Sequence, residues 1–503
     1  MVAQKGRIPA PKAGWVQNAS LLEPPKASAE VLDDIFPTAA GARMRRGRSL
    51  HATITGAAVQ VMVWNGATSK MFASDASNVY EISSPADAAV APTADITGLT
   101  SGDWSAINFG TSGGSFLWMC NGADSARHYN GTTWATPSIT GATSSNLSQC
   151  WAHGSRIFAI EAGTLSAWYL PADSIAGAMT ELPLRTVFSR GGSLLFGTSW
   201  SLDSGEGLDD VCVFVTDQGE IAVYEGQDPD TSWSRRGTYE IAKPLSKHAF
   251  FKAGGDVAIA TEEGIVSLAA AVQQDRTAIS RSAITYPIED AWREAVTLRD
   301  ATHAFNATLW HSERMLLVSV PEAYDGTSQA FVCNSRTGAW CRFTGFDVQC
   351  SVVFNDRLYF GTSDGQIFAA ETSGSDNGSP YTTRWLPKFM PMGTVVSLNA
   401  ARVVYRGTVD TEPQLDGAQG FSTSVPSSPA PATDESSNVW GTALWGSAVW
   451  GEGATRVAKS EWKVVYALGD EISIWFQAGS NRTTAPDNEI IGIDFLYEKG
   501  LPM

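Results

Sequence analysis

Residues 358–371, LYFGTSDGQIFAAE, contain two runs of apolar and small residues separated by Asp364 and Gly365. An Asp-Gly pair between two such runs is a strong hairpin signal, because glycine adopts the positive φ of a tight turn at little cost. The stretch therefore predicts two antiparallel β-strands joined by a two-residue turn. One hairpin by itself indicates little about function.

The same pattern of strand, turn, strand, turn and strand returns along the chain. Copies lie at residues 59–83, 105–131, 148–170, 208–226, 247–270 and 349–371, with a looser copy at 306–343. Most copies start roughly 40 to 50 residues apart, which is the period of a four-stranded propeller blade. A lone blade exposes two apolar faces, whereas blades packed around an axis bury them. The sequence predicts an all-β fold, with a β-propeller of six or seven irregular blades at 51–375.

One segment, residues 286–298, has the period of a helix instead. Its apolar residues at helical spacing are Ile288, Ala291, Trp292, Ala295 and Val296. Pro287 stands where a helix can begin, and Glu289 and Asp290 fall in the first turn, where they favour the helix dipole. We therefore expect one short helix inserted between two blades and packed on the side of the propeller.

The two ends of the chain differ from the propeller region. Residues 1–50 precede the propeller region as an extended N-terminal arm. Residues 376–503 contain strand patterns at 395–409, 460–479 and 489–500, which predict a separate β-sandwich-like domain.

Two unusual stretches interrupt this C-terminal domain. Residues 421–437 are rich in proline and serine and predict a flexible excursion or tip. Residues 440–451 repeat Trp-Gly every five residues, a period of neither helix nor strand, so Trp440, Trp445 and Trp450 are predicted to anchor a compact loop. Stacking of these tryptophans on carbohydrate is the alternative.

Composition and charge limit the possible partners. The 503 residues are 43% hydrophobic and 17% charged, with 47 glycines, which is typical of a folded, turn-rich protein. A net charge of −17 disfavours tight wrapping on nucleic acid, although it is compatible with a surface past which nucleic acid slides. Solubility is the simpler explanation of the charge. No stretch has the apolar length of a signal peptide or a membrane span, so we expect neither.

The sequence contains few signs of catalysis. Phosphate-binding loops, nucleophile elbows and zinc-protease motifs are absent from it, and its six histidines are isolated. The six cysteines are scattered, which predicts reduced, buried thiols. A disulfide or metal joining Cys333 and Cys341 across a hairpin is the alternative. We expect no enzymatic activity, cofactor or metal, although a site assembled in the propeller channel from distant blades would escape sequence analysis.

The one basic run is RMRRGR at 43–48. Its arginines suggest contact with another protein or with nucleic acid. A solvated segment, or one paired within the chain, is the alternative, and the acidic remainder of the chain opposes general nucleic-acid binding.

Three stretches together resemble a known family. Residues 9–53 run from PAPKAGW through FPT to the arginine run. Residues 314–368 contain a VP strand, an NSRTGAW hairpin and LYFGTSDG, and residues 70–83 fit a first blade. This arrangement resembles the tail nozzle proteins (tail tubular protein B) of short-tailed bacteriophages, or podoviruses, and it covers about a quarter of the chain. The middle blades, the helix and the Trp-Gly repeat carry less of the family signal.

The resemblance implies a structural virion protein of the tail, assembled in the cytoplasm of the host bacterium. It implies a homohexameric tube below the portal and its adaptor, the head-to-tail connector, with tail fibres as a further partner. Double-stranded DNA would leave through this tube without sequence-specific binding. Six chains of −17 would carry −102, and an acidic bore would repel phosphates.

The resemblance also implies where the adaptor binds. The N-terminal arm and the C-terminal domain would form the platform that meets it. The candidate interface residues are Trp15, Phe36, Pro37, Arg43, Arg45, Arg46 and Arg48. A glycan-binding or enzymatic β-propeller, of lectin or hydrolase type, is the alternative function.

Overall fold

The computed structural model describes residues 3–18, 25–201, 210–299, 305–407, 412–433 and 456–500. It confirms an all-β fold with a propeller, a platform and short inserted helices. The Trp-Gly repeat at 440–451, with Trp440, Trp445 and Trp450, lies outside the described residues.

The first four blades follow one another along the chain. Blade 1 contains Gln60–Trp64, Lys70–Ser74 and Val79–Glu81, and blade 2 contains Ser105–Thr111, Gly114–Cys120, Arg127–Tyr129 and Trp134–Ala135. Blade 3 contains Leu147–His153, Arg156–Glu161, Ser166–Tyr169 and Thr180–Pro183. Blade 4 contains Leu194–Trp200, Val211–Thr216, Glu220–Glu225 and Ser234–Glu240. Two short strands, Ile139–Thr140 and Gly177–Ala178, pair in parallel beside blade 3.

The remaining blades complete the ring. Blade 5 contains Phe250–Ala253, Asp256–Thr261 and Gly264–Ser267, and blade 6 contains Ala307–Trp310, Met315–Ser319, Gln329–Asn334 and Trp340–Thr344. Blade 7 contains Cys350–Phe354, Arg357–Gly361 and Gln366–Ser373. Six of the seven units are separate sheets, whereas blade 6 is continuous with the platform sheet. The count is therefore six when only separate sheets are counted, and seven when the unit shared with the platform is included.

An N-terminal strand closes the ring. Gly47–Thr53 pairs antiparallel with Gln366–Ser373 and forms the outer strand of blade 7. The last blade is therefore built from both ends of the propeller region. The boundary predicted between residues 50 and 51 falls inside this strand, so the arm reaches into the propeller.

The opening hairpin forms with a different turn from the predicted one. The strands Arg357–Gly361 and Gln366–Ser373 pair as expected, but Thr362 also pairs with Gln366, since its N–H donates to the Gln366 carbonyl at 3.0 Å. Three residues, 363–365, remain in the loop, and Gly365 ends it with φ +80°. The predicted two-residue turn is corrected to a three-residue loop, in which glycine takes the left-handed position.

The platform is one large sheet that includes blade 6 and the arm, with sixteen strands in total. Its C-terminal strands are Tyr381–Pro387, Met390–Gly407, Gln414–Gln419, Pro431–Ala432, Arg456–Lys459, Lys463–Ser480 and Glu489–Lys499. The arm adds Gln4–Pro9, Gly14–Trp15, Ser28–Asp33, Ile35–Pro37 and Ala42–Met44. The arm thus joins the platform by main-chain pairing.

The proline- and serine-rich excursion is partly described. Residues 421–433 lie along the platform, where Pro431–Ala432 pairs in parallel with Gly479 and Ser480. Gln477 Nε2 also donates to the Pro426 carbonyl at 3.3 Å. The described part is therefore held against the sheet, and residues 434–437 lie outside the described chain.

The predicted helix is Glu289–Leu298, preceded by the 3₁₀ turn Tyr286–Ile288. Trp292 is buried, and its Nε1 donates to the Thr261 carbonyl of blade 5 at 2.9 Å. Two more helices, Leu268–Gln273 and Arg276–Arg281, precede it. With six residues each, they are too short to give a periodic signal. A 3₁₀ turn also lies at Ser144–Asn146.

The cores lie where radial packing predicts them. Separate buried clusters lie between blades 1 and 2, 2 and 3, 3 and 4, 4 and 5, and 7 and 1. The largest cluster joins the arm, the helix Glu289–Leu298, blades 5 to 7 and the platform. Propeller and platform consequently share one hydrophobic core.

Candidate functional site

Arg45, from the basic run, lies at the junction of arm, propeller and platform. Its side chain has no exposed surface; Nε donates to Asp34 Oδ1 at 2.5 Å, and the two terminal nitrogens donate to the carboxylate of Asp376 at 2.8 and 2.7 Å. The guanidinium carbon also lies 4.0 Å from the ring centre of Tyr381. We call Asp34, Arg45 and Asp376 the arginine junction. It joins the chain across 331 residues of sequence.

Electrostatics at the arginine junction follow from its burial. Burial raises the pKa of Asp34 even though Arg45 lies beside it. Burial also opposes the charge of Arg45, but the carboxylates of Asp34 and Asp376 more than offset this and raise its pKa. A buried pair of this kind is costly to break, because the remaining charge has no water to solvate it.

The other three arginines are also directed inward to different degrees. Arg43 lies 2.5 Å from Glu371 and over the ring of Phe36, with 15% of its side chain exposed. Arg48 lies 4.4 Å from the ring centre of Phe368, and burial lowers its pKa. Arg46 is 34% exposed, more than Arg43 or Arg45, and lies 3.9 Å from Glu313. The run therefore matches the alternative of pairing within the chain.

The three other candidate interface residues anchor the arm. Trp15 is buried and meets Phe331 of blade 6 edge-on, with ring centres 5.6 Å apart. Phe36 is buried as well, and the Pro37 carbonyl accepts a hydrogen bond from Asn334 Nδ2 at 2.9 Å. Their side chains serve the packing of the arm, so an adaptor would meet other parts of this surface.

A cavity lies on the propeller axis. It has a volume of about 1020 Å³ and is lined by the first strand of each of the seven blades. Spread over the roughly 17 Å length of a five-residue strand, this volume, which counts the positions open to the centre of a water molecule, corresponds to a bore roughly 12 Å between its walls. A B-DNA duplex is wider than either of its grooves, and its major groove alone is about 12 Å wide. Duplex DNA does not fit through a single propeller of this chain.

One end of this cavity is crossed by residues that connect distant blades. Lys247 Nζ donates to the backbone carbonyls of Asp103 and Ser148 at 2.8 and 3.1 Å and lies 3.0 Å from Asp103 Oδ2. His248 Nε2 lies 2.7 Å from Asp103 Oδ1, and Gln60 Nε2 lies 3.2 Å from His248 Nδ1. We call Gln60, Asp103, Lys247 and His248 the axial cluster. It ties the segment before blade 5 to blades 1, 2 and 3.

The charges of the axial cluster are mutually compensated. Burial raises the pKa of Asp103. Hydrogen bonds and charge from His248 and Lys247 lower it by more than burial raises it, so the net shift is strongly downward. Gln60 Nε2 and Asp103 Oδ1 lie within hydrogen-bond distance of the two ring nitrogens of His248. With both ring nitrogens engaged, His248 has no free nitrogen to act as a general base.

Neither a metal site nor a disulfide is evident in the described part of the chain. No group of three or more His, Cys, Asp and Glu side chains there is arranged to hold a metal ion. All six cysteines, Cys333 and Cys341 included, are buried free thiols. Burial raises the pKa of Cys333 to about 12, which suppresses its thiolate. Within the same residues, no helix is long and apolar enough to cross a membrane.

Sequence analysis did not predict the axial cluster. Asp103 and His248 are 145 residues apart, and neither belongs to a motif. Both residues stand just before the first strand of a blade. That shared position in the repeat is a sequence signal from which their proximity could have been predicted.

No protein-family model and no curated protein matches the chain. Among solved structures, the chain is similar to the WD40 β-propeller domain of Doa1, with 10% identity and a TM-score of 0.36 over 65% of this chain and 97% of that one. It is also similar to BBS1N in complex with ARL6DN, with 8% identity and a TM-score of 0.40 over the same shares. The computationally designed Ika8 protein matches 64% of this chain and 99% of its own, with 10% identity and a TM-score of 0.36. At such scores the likeness is one of propeller fold and carries no argument about function.

Proposed function

We propose that this chain is a structural virion protein that forms the tail nozzle of a short-tailed phage, as a hexameric conduit for DNA ejection. The observation that carries the proposal is the family resemblance of residues 9–53 and 314–368. These two stretches contact each other closely in the fold: Arg342 holds Asp33 with hydrogen bonds of 2.8 and 2.9 Å, and Trp15 packs on Phe331. The family motifs thus belong to one spatial unit.

Two further features support a conduit between copies. The axial bore of one propeller is too narrow for duplex DNA and is crossed by the axial cluster, so DNA would pass through the centre of a ring of chains. A ring of six would carry −102, and an acidic bore lacks the counterion-release term that makes DNA adhere to basic surfaces. The proposal assigns the chain no catalytic role and no cofactor.

The adaptor, the portal complex above it and the tail fibres are the proposed partners. Within the basic run, Arg46 is the residue whose accessibility suits an electrostatic contact with the adaptor. Arg43, Arg45 and Arg48 would act indirectly, by fixing the arm on which Arg46 stands. Trp15, Phe36 and Pro37 would act in the same indirect way.

Electron microscopy of the purified chain, with and without its adaptor, tests the proposal. The expected result is a six-fold ring with an open centre wide enough for duplex DNA. Persistently monomeric particles in the presence of the adaptor would contradict it. Binding to a glycan array, or turnover in a hydrolase substrate screen, would favour the alternative of a lectin or an enzyme.

A further inference from the structure

The outer face of the platform carries an exposed apolar patch. On the strand Lys463–Ser480, Val465 and Ala467 point into the core and are 3% and 1% exposed. The alternate residues Val464, Tyr466 and Leu468 point outward and are 90%, 69% and 49% exposed. Trp462, at 40%, continues the same strip. Including Val395 of the neighbouring strand Met390–Gly407, which is 37% exposed, we call these five residues the platform patch.

The pattern of this strand is that of a strand covered on both faces. A sheet with one face in water alternates apolar and polar residues, whereas a strand buried on both sides is apolar throughout. Residues 464–468, VVYAL, are apolar throughout, but the described part of one chain covers only one of their faces. Contiguous exposed patches of this kind mark interaction surfaces.

The patch is also held in place before any partner arrives. The guanidinium carbon of Arg402 lies 4.6 Å from the ring centre of Trp462, and its NH2 lies 3.2 Å from Asp494 Oδ2. Asp494 has no exposed side-chain surface and also holds Arg7 of the arm at 2.7 Å. The strand Lys463–Ser480 is meanwhile paired with Met390–Gly407 over residues 463–472, which include the patch. Prior ordering of this type lowers the entropy cost of binding.

We propose that the platform patch is the surface through which one copy of this chain contacts the next. The inference rests on the proposed function, which requires contacts between copies, and it assigns those contacts to residues. Two chains of −17 repel each other, so copies approach at the lowest cost where a surface has no charge. The patch has an uncharged core of aromatic and aliphatic side chains, the composition of homo-oligomer interface cores.

The rim of the platform patch supplies charges of both signs. Asp470 follows the patch on the outer face of the same strand, and Glu498 pairs with Ser397, which in turn pairs with Leu468 of the patch. Lys5 and Arg7 of the arm, with 51% and 59% of their side chains exposed, lie beside Asp494 on the same side. A rim with both signs allows lysines of one copy to face carboxylates of another. A surface of a single sign would instead repel its own copy.

Substitution of Val464 tests the assignment. Val464→Glu places a charge at the centre of the patch without touching the core, and Tyr324→Glu, at a 74% exposed position on blade 6, is the matched control. Light scattering over a hundredfold range of concentration measures association. We expect the wild type and the control to associate, and Val464→Glu to associate at least tenfold more weakly. A wild type that stays monomeric, or a variant that associates equally well, would overturn the inference.

Photo-cross-linking identifies what touches the patch. A benzophenone amino acid replaces Tyr466, and equal amounts of light and ¹⁵N-labelled chains are mixed before irradiation. Peptides that link light to heavy chains support contact between copies, whereas links confined to single chains overturn it. Six-fold rings whose Tyr466 links are all within one chain would refute this assignment alone. Links between copies in an assembly without six-fold symmetry would refute the nozzle proposal and retain the patch.

Discussion

At the scale of single residues, the arginine junction buries one arginine of the basic run and pairs it within the chain. Arg45 is surrounded by Asp34, Asp376 and Tyr381, whereas Arg46, its neighbour in sequence, is 34% exposed beside Glu313. Removal of one partner from a buried ion pair costs about 3–5 kcal/mol, whereas an exposed pair contributes at most about 1 kcal/mol.

We therefore predict that Arg45→Met lowers the free energy of unfolding by about 3–5 kcal/mol, because Asp34 and Asp376 lose their counter-charge. Arg46→Met is the matched control and should change it by less than about 1 kcal/mol. Urea denaturation followed by tryptophan fluorescence measures both. Equal effects of the two substitutions would show that the junction contributes nothing beyond surface charge.

Asp494 provides a prediction on pH. Burial raises its pKa, but hydrogen bonds from Arg7, Arg402 and Lys5 outweigh burial and lower it to about 2. An unfolded aspartate has a pKa of about 3.9, so the stabilisation is complete above that pH and is lost as pH falls towards about 2. We expect about 1–2 kcal/mol, since Arg7 and Lys5 are more than half exposed and screened by solvent.

Hydrogen exchange of the strand Gln4–Pro9 measures this effect. Its protection should fall between about pH 4 and pH 2 in the wild type. In Asp494→Asn, protection should be low already at neutral pH and depend less on acid. Unchanged protection in the variant would mean that main-chain pairing with Glu489–Lys499 holds the arm without the carboxylate.

At the scale of elements, the axial cluster connects blades that do not adjoin. Lys247 closes the axis by bonding two backbone carbonyls and one carboxylate. Lys247→Met leaves those acceptors without their donor, so we predict a loss of about 1–3 kcal/mol in the free energy of unfolding. Lys252→Met, at an exposed lining position of the same cavity, is the control and should be nearly neutral. Thermal unfolding monitored by circular dichroism distinguishes them.

The elements also show how far the sequence could predict this fold. Asp364 and Gly365 predicted their hairpin correctly, because turn chemistry is local. The helix around Trp292 was predicted from the helical spacing of its apolar residues. The orientation of Arg45 could not be predicted, since it depends on Asp376, which is 331 residues away. The axial cluster escaped prediction for the same reason. Local pattern predicts elements, whereas burial and pairing between distant residues depend on how blades meet.

At the scale of the whole molecule, ring closure depends on a blade that is built from two distant segments of the chain. Blade 7 takes its outer strand, Gly47–Thr53, from the N-terminal side, and the same segment leads directly into the arginine junction. The arm therefore fastens the platform and the propeller together.

The acidic balance provides the last prediction, which concerns passing DNA. Proteins that neutralise phosphates with lysine and arginine release counterions, so their affinity falls steeply with salt. With 52 acidic against 35 basic residues, this chain should show no measurable retention of duplex DNA even at low salt, where electrostatic binding is strongest. Fluorescence anisotropy of a labelled duplex at roughly 20 mM and 200 mM salt measures it, with a basic DNA-binding protein as positive control. Binding that weakens with salt would reveal a basic surface facing the DNA and would exclude a conduit that works by repelling phosphates.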